Sequence, residues 1–254
     1  MAFKNTNLKE ISPEDLINHV SSVDGMFSIV GFGSLLSIRS ASMTFPTLEN
    51  FRICRLYGFR RVFAHLAPIF FERGIAKTET GEVASLSVEE ADDSSSILVT
   101  QFEIPSSMIS SFVEREHEFR FVSVVPEPIN LRSGETFEKR HAVVCCRYSD
   151  EEYRELRCAD DNEYYQRYGR FGIDKIWRDD VLPCRVYLRH CVLAARNLQS
   201  LYDEVDDECL DTCEDFLKTT FLADRKTTIE EHLANNPDIM ATPPPPTLVE
   251  RYSG

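Results

Sequence analysis

Up to about Ser149 the hydrophobic positions of this chain mostly fall into short runs or alternate with polar ones; beyond it they return every three to four residues. The first pattern is that of strands, the second that of helices. Residues 27–30 are a short apolar run bounded by glycines, which predicts a buried strand. Residues 51–67, rich in Val, Ile, Phe, Tyr and Arg, predict one long strand or two hinged at Gly58. Residues 82–89 set Val83, Ser85 and Ser87 against Ala84, Leu86 and Val88, a strand with one buried face. Residues 97–104, 119–125 and 136–148 continue the β character. Two helices interrupt it. Ser12 as cap, Pro13 at the first helical position and Glu14 and Asp15 in the first turn start one that should run to about residue 22. The other opens at Pro105 and should reach Glu118. After Ser149 comes an acidic, aromatic, helix-forming stretch, then helices at 186–202, 206–223 and 227–234. Four consecutive prolines follow and favour an extended surface tail that could also serve as a ligand for a partner protein. The pattern is α+β, with a β-rich N-terminal part and a helical C-terminal part.

Composition narrows the function classes. With 43% hydrophobic residues the chain can bury a substantial core, as one large domain or one with an appendage. A net charge of −14 with no basic block argues against binding nucleic acid through its phosphates. The N-terminus has no apolar signal region, and no apolar run approaches the ~20 residues that span a bilayer, so the chain reads as soluble and cytoplasmic, with no membrane role. Eight scattered cysteines form no metal spacing and read as free thiols, buried or half-buried. Six histidines form no ligand set either, and the acidic run at 202–208 lacks the central glycine of a calcium loop, so no metal or cofactor is expected.

One carboxylate stands out. On the 105–118 helix, Met108, Ile109, Phe112 and Val113 make one apolar stripe. Glu116 follows Phe112 by four residues and Val113 by three, so it falls within the stripe, while Glu114 and Glu118 fall on the solvent side. A buried carboxyl either finds strong partners, here Arg115 or Arg120, or has its pKa raised into the range that general acid–base catalysis uses.

Several separated stretches resemble the γ-glutamylcyclotransferases, and most closely their ChaC-type (AIG2-like) branch. Val30-Gly31-Phe32-Gly33-Ser34-Leu35 is similar to the family's strand-to-loop motif, with Phe32 where a tyrosine is usual. Gly58-Phe59-Arg60-Arg61, then Gly81, Val83 and Leu86, resemble the stretches that follow. Arg115-Glu116 ahead of Phe119 resembles the arginine–glutamate pair that carries the catalytic carboxylate, without the two glycines expected before the aromatic. Ser37 stands where a tryptophan is expected. Tyr187-Leu188 is similar to a later Tyr-Leu helix. The resemblance spans residues 27–200. It implies a small mixed β-barrel or twisted sheet flanked by helices, a catalytic domain over 1–200, and a helical extension with a proline-rich tail over 201–254. It also implies an enzyme that needs no cofactor and converts a small γ-glutamyl substrate, glutathione among the candidates, into 5-oxoproline and a free amine. Glu116 would be the acid/base, and Phe32, Gly33, Ser34, Leu35 and Tyr187 would bind substrate. The amides at 33–35 could hold either the substrate carboxylate or an oxyanion.

Other readings of the same residues are weaker. The loop is neither a dinucleotide fingerprint nor a nucleophile elbow, since each needs glycine at Leu36. Ser34 has no base placed nearby in sequence, and of Arg60 and Arg61 only one can point at a pocket. A non-catalytic module keeping the pocket for binding or interaction is the alternative to an enzyme.

Overall fold

The computed structural model describes residues 9–19, 25–129, 138–200 and 211–254. Among the described residues eleven strands make one mixed sheet: β1 (Lys9–Ile11), β2 (Met26–Gly31), β3 (Glu49–Tyr57), β4 (Phe59–Leu66), β5 (Glu82–Glu90), β6 (Ser96–Pro105), β7 (Arg120–Val124), β8 (Glu127–Pro128), β9 (Ala142–Cys146), β10 (Leu182–Pro183) and β11 (Thr220–Leu222). Its main path runs β11-β4-β5-β9-β2-β6-β3-β8, with β7 branching from β9 and carrying β1. The central strand β2 pairs antiparallel with β6 and parallel with β9. Nine helices flank the sheet: α1 (Pro13–His19), α2 (Ile38–Thr44), α3 (Pro68–Glu72), α4 (Ile109–Arg115), α5 (Asp150–Arg157), α6 (Asp161–Arg167), α7 (Arg185–Ser200), α8 (Thr212–Thr219) and α9 (Ile229–Asn235), counted among the described residues. This is the α+β class that the sequence predicts.

The sheet curls until both faces are covered. On β9, Ala142, Val144 and Cys146 join Val30, Leu56, Val88 and Val99 in an inner cluster. Val143 and Cys145 alternate onto the other face and pack with the helices. The same geometry corrects the expectation for residues 82–89: β5 is buried on both faces from Val83 to Val88. Ser85 and Ser87 are therefore inside, and Ser87 donates to the Val62 carbonyl at 3.1 Å.

Strands β3 and β4 are hinged at Gly58, whose φ of +75° is a conformation that favours glycine. Beyond that hinge β4 approaches β6 without a ladder between them. Side chains take the place of the missing pairing. Arg61, fully buried on β4, donates to the Leu98 carbonyl of β6, and Asp215 of α8 accepts the Leu98 N–H at 2.9 Å.

The C-terminal region joins this frame rather than extending from it. Strand β11 pairs parallel with β4. The proline stretch, expected as an extended tail, leads into a short 3₁₀ turn over Pro246–Leu248 and back onto α7. Tyr252 is buried there, and the Gly254 N–H donates to His190 Nδ1 at 3.0 Å. The seven described cysteines form no disulfide, and five of them are buried. The acidic run at 202–208 lies outside the described residues. Among the described residues no helix is long and apolar enough to cross a membrane.

Candidate active site

At the end of β2 the chain passes directly into a 3₁₀ turn, Ser34–Leu36, and the two glycines there answer to space. A side chain on Gly31 would come within 2.5 Å of Thr100 Oγ1 and 2.7 Å of Leu35 Cβ. One on Gly33 would meet the Tyr187 hydroxyl at 2.9 Å. Glycine thus lets the turn fold against β6 on one side and α7 on the other. From behind, Arg61 Nε donates to the Phe32 carbonyl at 3.0 Å. Ser37, in place of an aromatic, caps α2 by accepting the Ser40 N–H at 3.2 Å.

In front of the turn lies a cavity of about 520 Å³, within the range of small-molecule sites. Phe32, Gly33, Ser34, Leu35, Glu116 and Tyr187 all line it. The turn, the glutamate and the tyrosine come from three distant parts of the chain, and the fold brings them to one wall. Burial and the neighbouring Cys191 push the Tyr187 phenol well above its ordinary range, so it stays protonated, with Ser34 beside it. Phe32 carries no hydroxyl; a hydroxyl reaches the turn from α7 instead.

Helix α4 stops three residues short of the expected end. Glu116 is its C-cap, with ψ at 33°, and Phe119 donates back to the Glu116 carbonyl at 3.0 Å. Strand β7 then claims residues 120–124 by pairing with both β1 and β9. Glu116 still faces inward as predicted. Arg115 Nε donates to its Oε1 at 2.8 Å. Burial pushes its carboxyl up; Arg115 opposes the shift, Glu118 reinforces it, and the net direction is upward. The negative end of α4 beneath it also disfavours the anion.

The early stop overturns the expectation for Glu118. Off the helix, its side chain turns into the cavity instead of toward solvent, and Oε1 lies 3.1 Å from His65 Nε2. Burial pushes Glu118 up, but His65, Glu118's own backbone N–H and His117 together hold the carboxyl below the usual range. The approach is off the ideal hydrogen-bond direction, and neither ring nitrogen of His65 makes a well-formed hydrogen bond among the described residues. His65 reaches the cavity because β4 slips register between Phe63 and His65, a bulge that alters which way the strand's side chains point. Phe119 and Trp177 pack its ring, with centroids 4.8 and 4.7 Å away.

Two carboxyls in one cavity are thus driven in opposite directions. That is the pattern expected of a group that exchanges protons beside one that stays charged. Cys145 also lines the cavity; burial first and Glu116 second push its thiol well up, which disfavours the thiolate that a nucleophile needs. Neither Arg60 nor Arg61 enters the cavity. Arg60 pairs with Glu89 at 2.8 Å, and Arg61 serves the turn and α8.

No family of known proteins matches the chain, and no curated protein does. Solved structures do. A γ-glutamyl cyclotransferase superposes with a TM-score of 0.37 at 11% identity, covering 70% of this chain and 99% of its own. An uncharacterised protein from Homo sapiens gives 0.37 at 13%, covering 63% and 89%. A protein from Arabidopsis thaliana, solved in solution, gives 0.34 at 11%, covering 58% and 91%. Superpositions this loose carry no chemical inference. The case for a function stands on the residues of the cavity.

Sequence reasoning missed His65, Glu118, Arg73, Arg251 and Tyr252, all of which line the cavity. A histidine at the end of a long apolar strand was the one signal available for His65. The last two come from the segment beyond the proline stretch, and nothing local marks them.

Proposed function

We propose that this cavity catalyses the cyclisation of a γ-glutamyl group, releasing 5-oxoproline and an amine. The α-amine of the substrate attacks its own side-chain amide carbon. A new N–C bond closes the five-membered ring, and the original amide C–N bond breaks. Attacker and target are tethered, so holding the substrate folded supplies much of the rate. Glu116 takes a proton from the α-ammonium and gives one to the departing nitrogen. A carboxyl with its pKa pushed up is suited to both steps. Glu118, held charged by His65, offers a fixed negative group for the ammonium. The Tyr187 hydroxyl and the amides of the 33–35 turn are donors for the carboxylate or the oxyanion.

The observation that carries this reading is the meeting, in one cavity, of a buried glutamate whose carboxyl is pushed up with the glycine turn and tyrosine of the resembled motif. Glutathione is one candidate within the class. The test is direct: incubate the protein with glutathione, γ-glutamyl dipeptides and γ-glutamyl amines, and quantify 5-oxoproline. Turnover of at least one is expected; none on the whole panel contradicts the reading.

A further inference from the structure

Arginines and glutamates both line this cavity, in a chain whose net charge is −14. Arg73 stands at the C-cap of α3, Arg115 ends α4, and Arg251 lies in the C-terminal segment; all three line the cavity. Arg73 Nη1 donates to the Tyr252 hydroxyl at 2.9 Å, and Arg251 Nη1 to Thr44 Oγ1 at 3.2 Å. Both partners are neutral. The Arg115 guanidinium packs over the Phe45 ring at 5.7 Å and spends its Nε on Glu116. Burial first, then the charges of Arg115 and Arg73, pull the Arg251 pKa down. Three guanidiniums therefore converge with one carboxylate partner among their hydrogen bonds described above. Each guanidinium carries five donors, so most of this capacity is left for a ligand.

We infer that Arg73, Arg115 and Arg251 form a subsite for an anionic group on the amine half of the substrate, the carboxylate of an amino-acid or peptide leaving group. This rests on the cyclisation reading. The placement follows from Arg115: it is bonded to Glu116, the group that must reach the departing nitrogen, so whatever that nitrogen carries lies on the arginine side. Planar forks of this kind pair with carboxylates in two-point fashion. The site thereby selects acidic γ-glutamyl compounds over neutral γ-glutamyl alkylamides, against the repulsion of the protein's overall charge.

Calorimetric binding of γ-glutamylglycine and of γ-glutamylglycinamide tests this, with Glu116→Gln protein used so that no probe is consumed. The acid should bind about tenfold more tightly than the amide, or better. Arg251→Gln and Arg73→Gln, each introduced into that protein, should bring the ratio close to one, and Arg251→Lys should keep part of it. Equal binding of acid and amide before any arginine is changed overturns the subsite. So does an equal loss for both ligands in the arginine variants, which would place the glutamyl carboxylate there instead. The ratio is read without turnover. A clear acid preference with no 5-oxoproline from wild-type protein keeps the anion subsite and removes the chemistry; turnover without a preference does the reverse.

Discussion

Arg61 with Asp215, behind the 32–35 turn, and Glu116 with Glu118, in front of it, are both groups of charge taken out of water, yet they are finished differently. Arg61 donates to Phe32, Leu98, Asp215 and Thr219. Asp215 accepts from Arg61, from the Leu98 N–H and, at 3.3 Å, from Thr219 Oγ1. That cluster is closed: it stands in for a missing ladder between two strands. The front cluster is open. Among the described residues, Glu116 has one arginine within hydrogen-bond distance, and Glu118 is met by its own backbone and, off-axis, by His65. Burial with complete partnering fixes a fold, whereas burial with incomplete partnering shifts pKa values and leaves groups ready for a ligand.

Substitutions can break the comparison from either side. The largest effect is expected at Glu116→Gln, which should cut the rate of 5-oxoproline release about 10²–10⁴-fold while moving the unfolding free energy by no more than about 1 kcal/mol. Behind the turn the balance reverses. Asp215→Ala strands the buried Arg61 charge and should cost about 3–5 kcal/mol in urea unfolding, with activity falling only as far as the turn is loosened. Gly31→Ala tests the turn itself: its Cβ has no room against Thr100 and Leu35, and a loss of about 1–3 kcal/mol is expected. The smallest effects are the most specific. If ionised Glu116 is the base, kcat/KM falls as pH drops through its raised pKa. Glu118 contributes to raising that pKa, so Glu118→Gln should move the acidic limb of the profile to lower pH; Arg115 lowers it, so Arg115→Gln should move the limb to higher pH. Limbs that stay put, or move the other way, would separate Glu116 from the rate.

The strands around the turn were legible because β2 is short, apolar and bounded by glycines and β6 is rich in strand-forming residues and ends at Pro105, and the inward phase of Glu116 follows from counting along α4. The end of that helix was not. Residues 114–118, Glu-Arg-Glu-His-Glu, contain four good helix formers, and only the pairing of β7 with β1 and β9 stops the helix at Arg115. Three residues of error were enough to send Glu118 to the wrong side. The bulge that aims His65 is set by partners over a hundred residues away: the Leu66 N–H bonds the Ile176 carbonyl, and the Arg178 N–H bonds that of Ala64. Long-range contacts likewise bring Arg251 and Tyr252 onto the cavity. What local periodicity could show was the part of the site carried by single elements; the part assembled between elements needed coordinates.

The most direct test of the account compares 5-oxoproline release by wild-type protein and by Glu116→Gln, on the best γ-glutamyl substrate and at matched thermal stability. Wild-type turnover reduced at least a hundredfold in the variant is the result predicted here. Equal turnover by the two proteins would contradict it, whatever the fold.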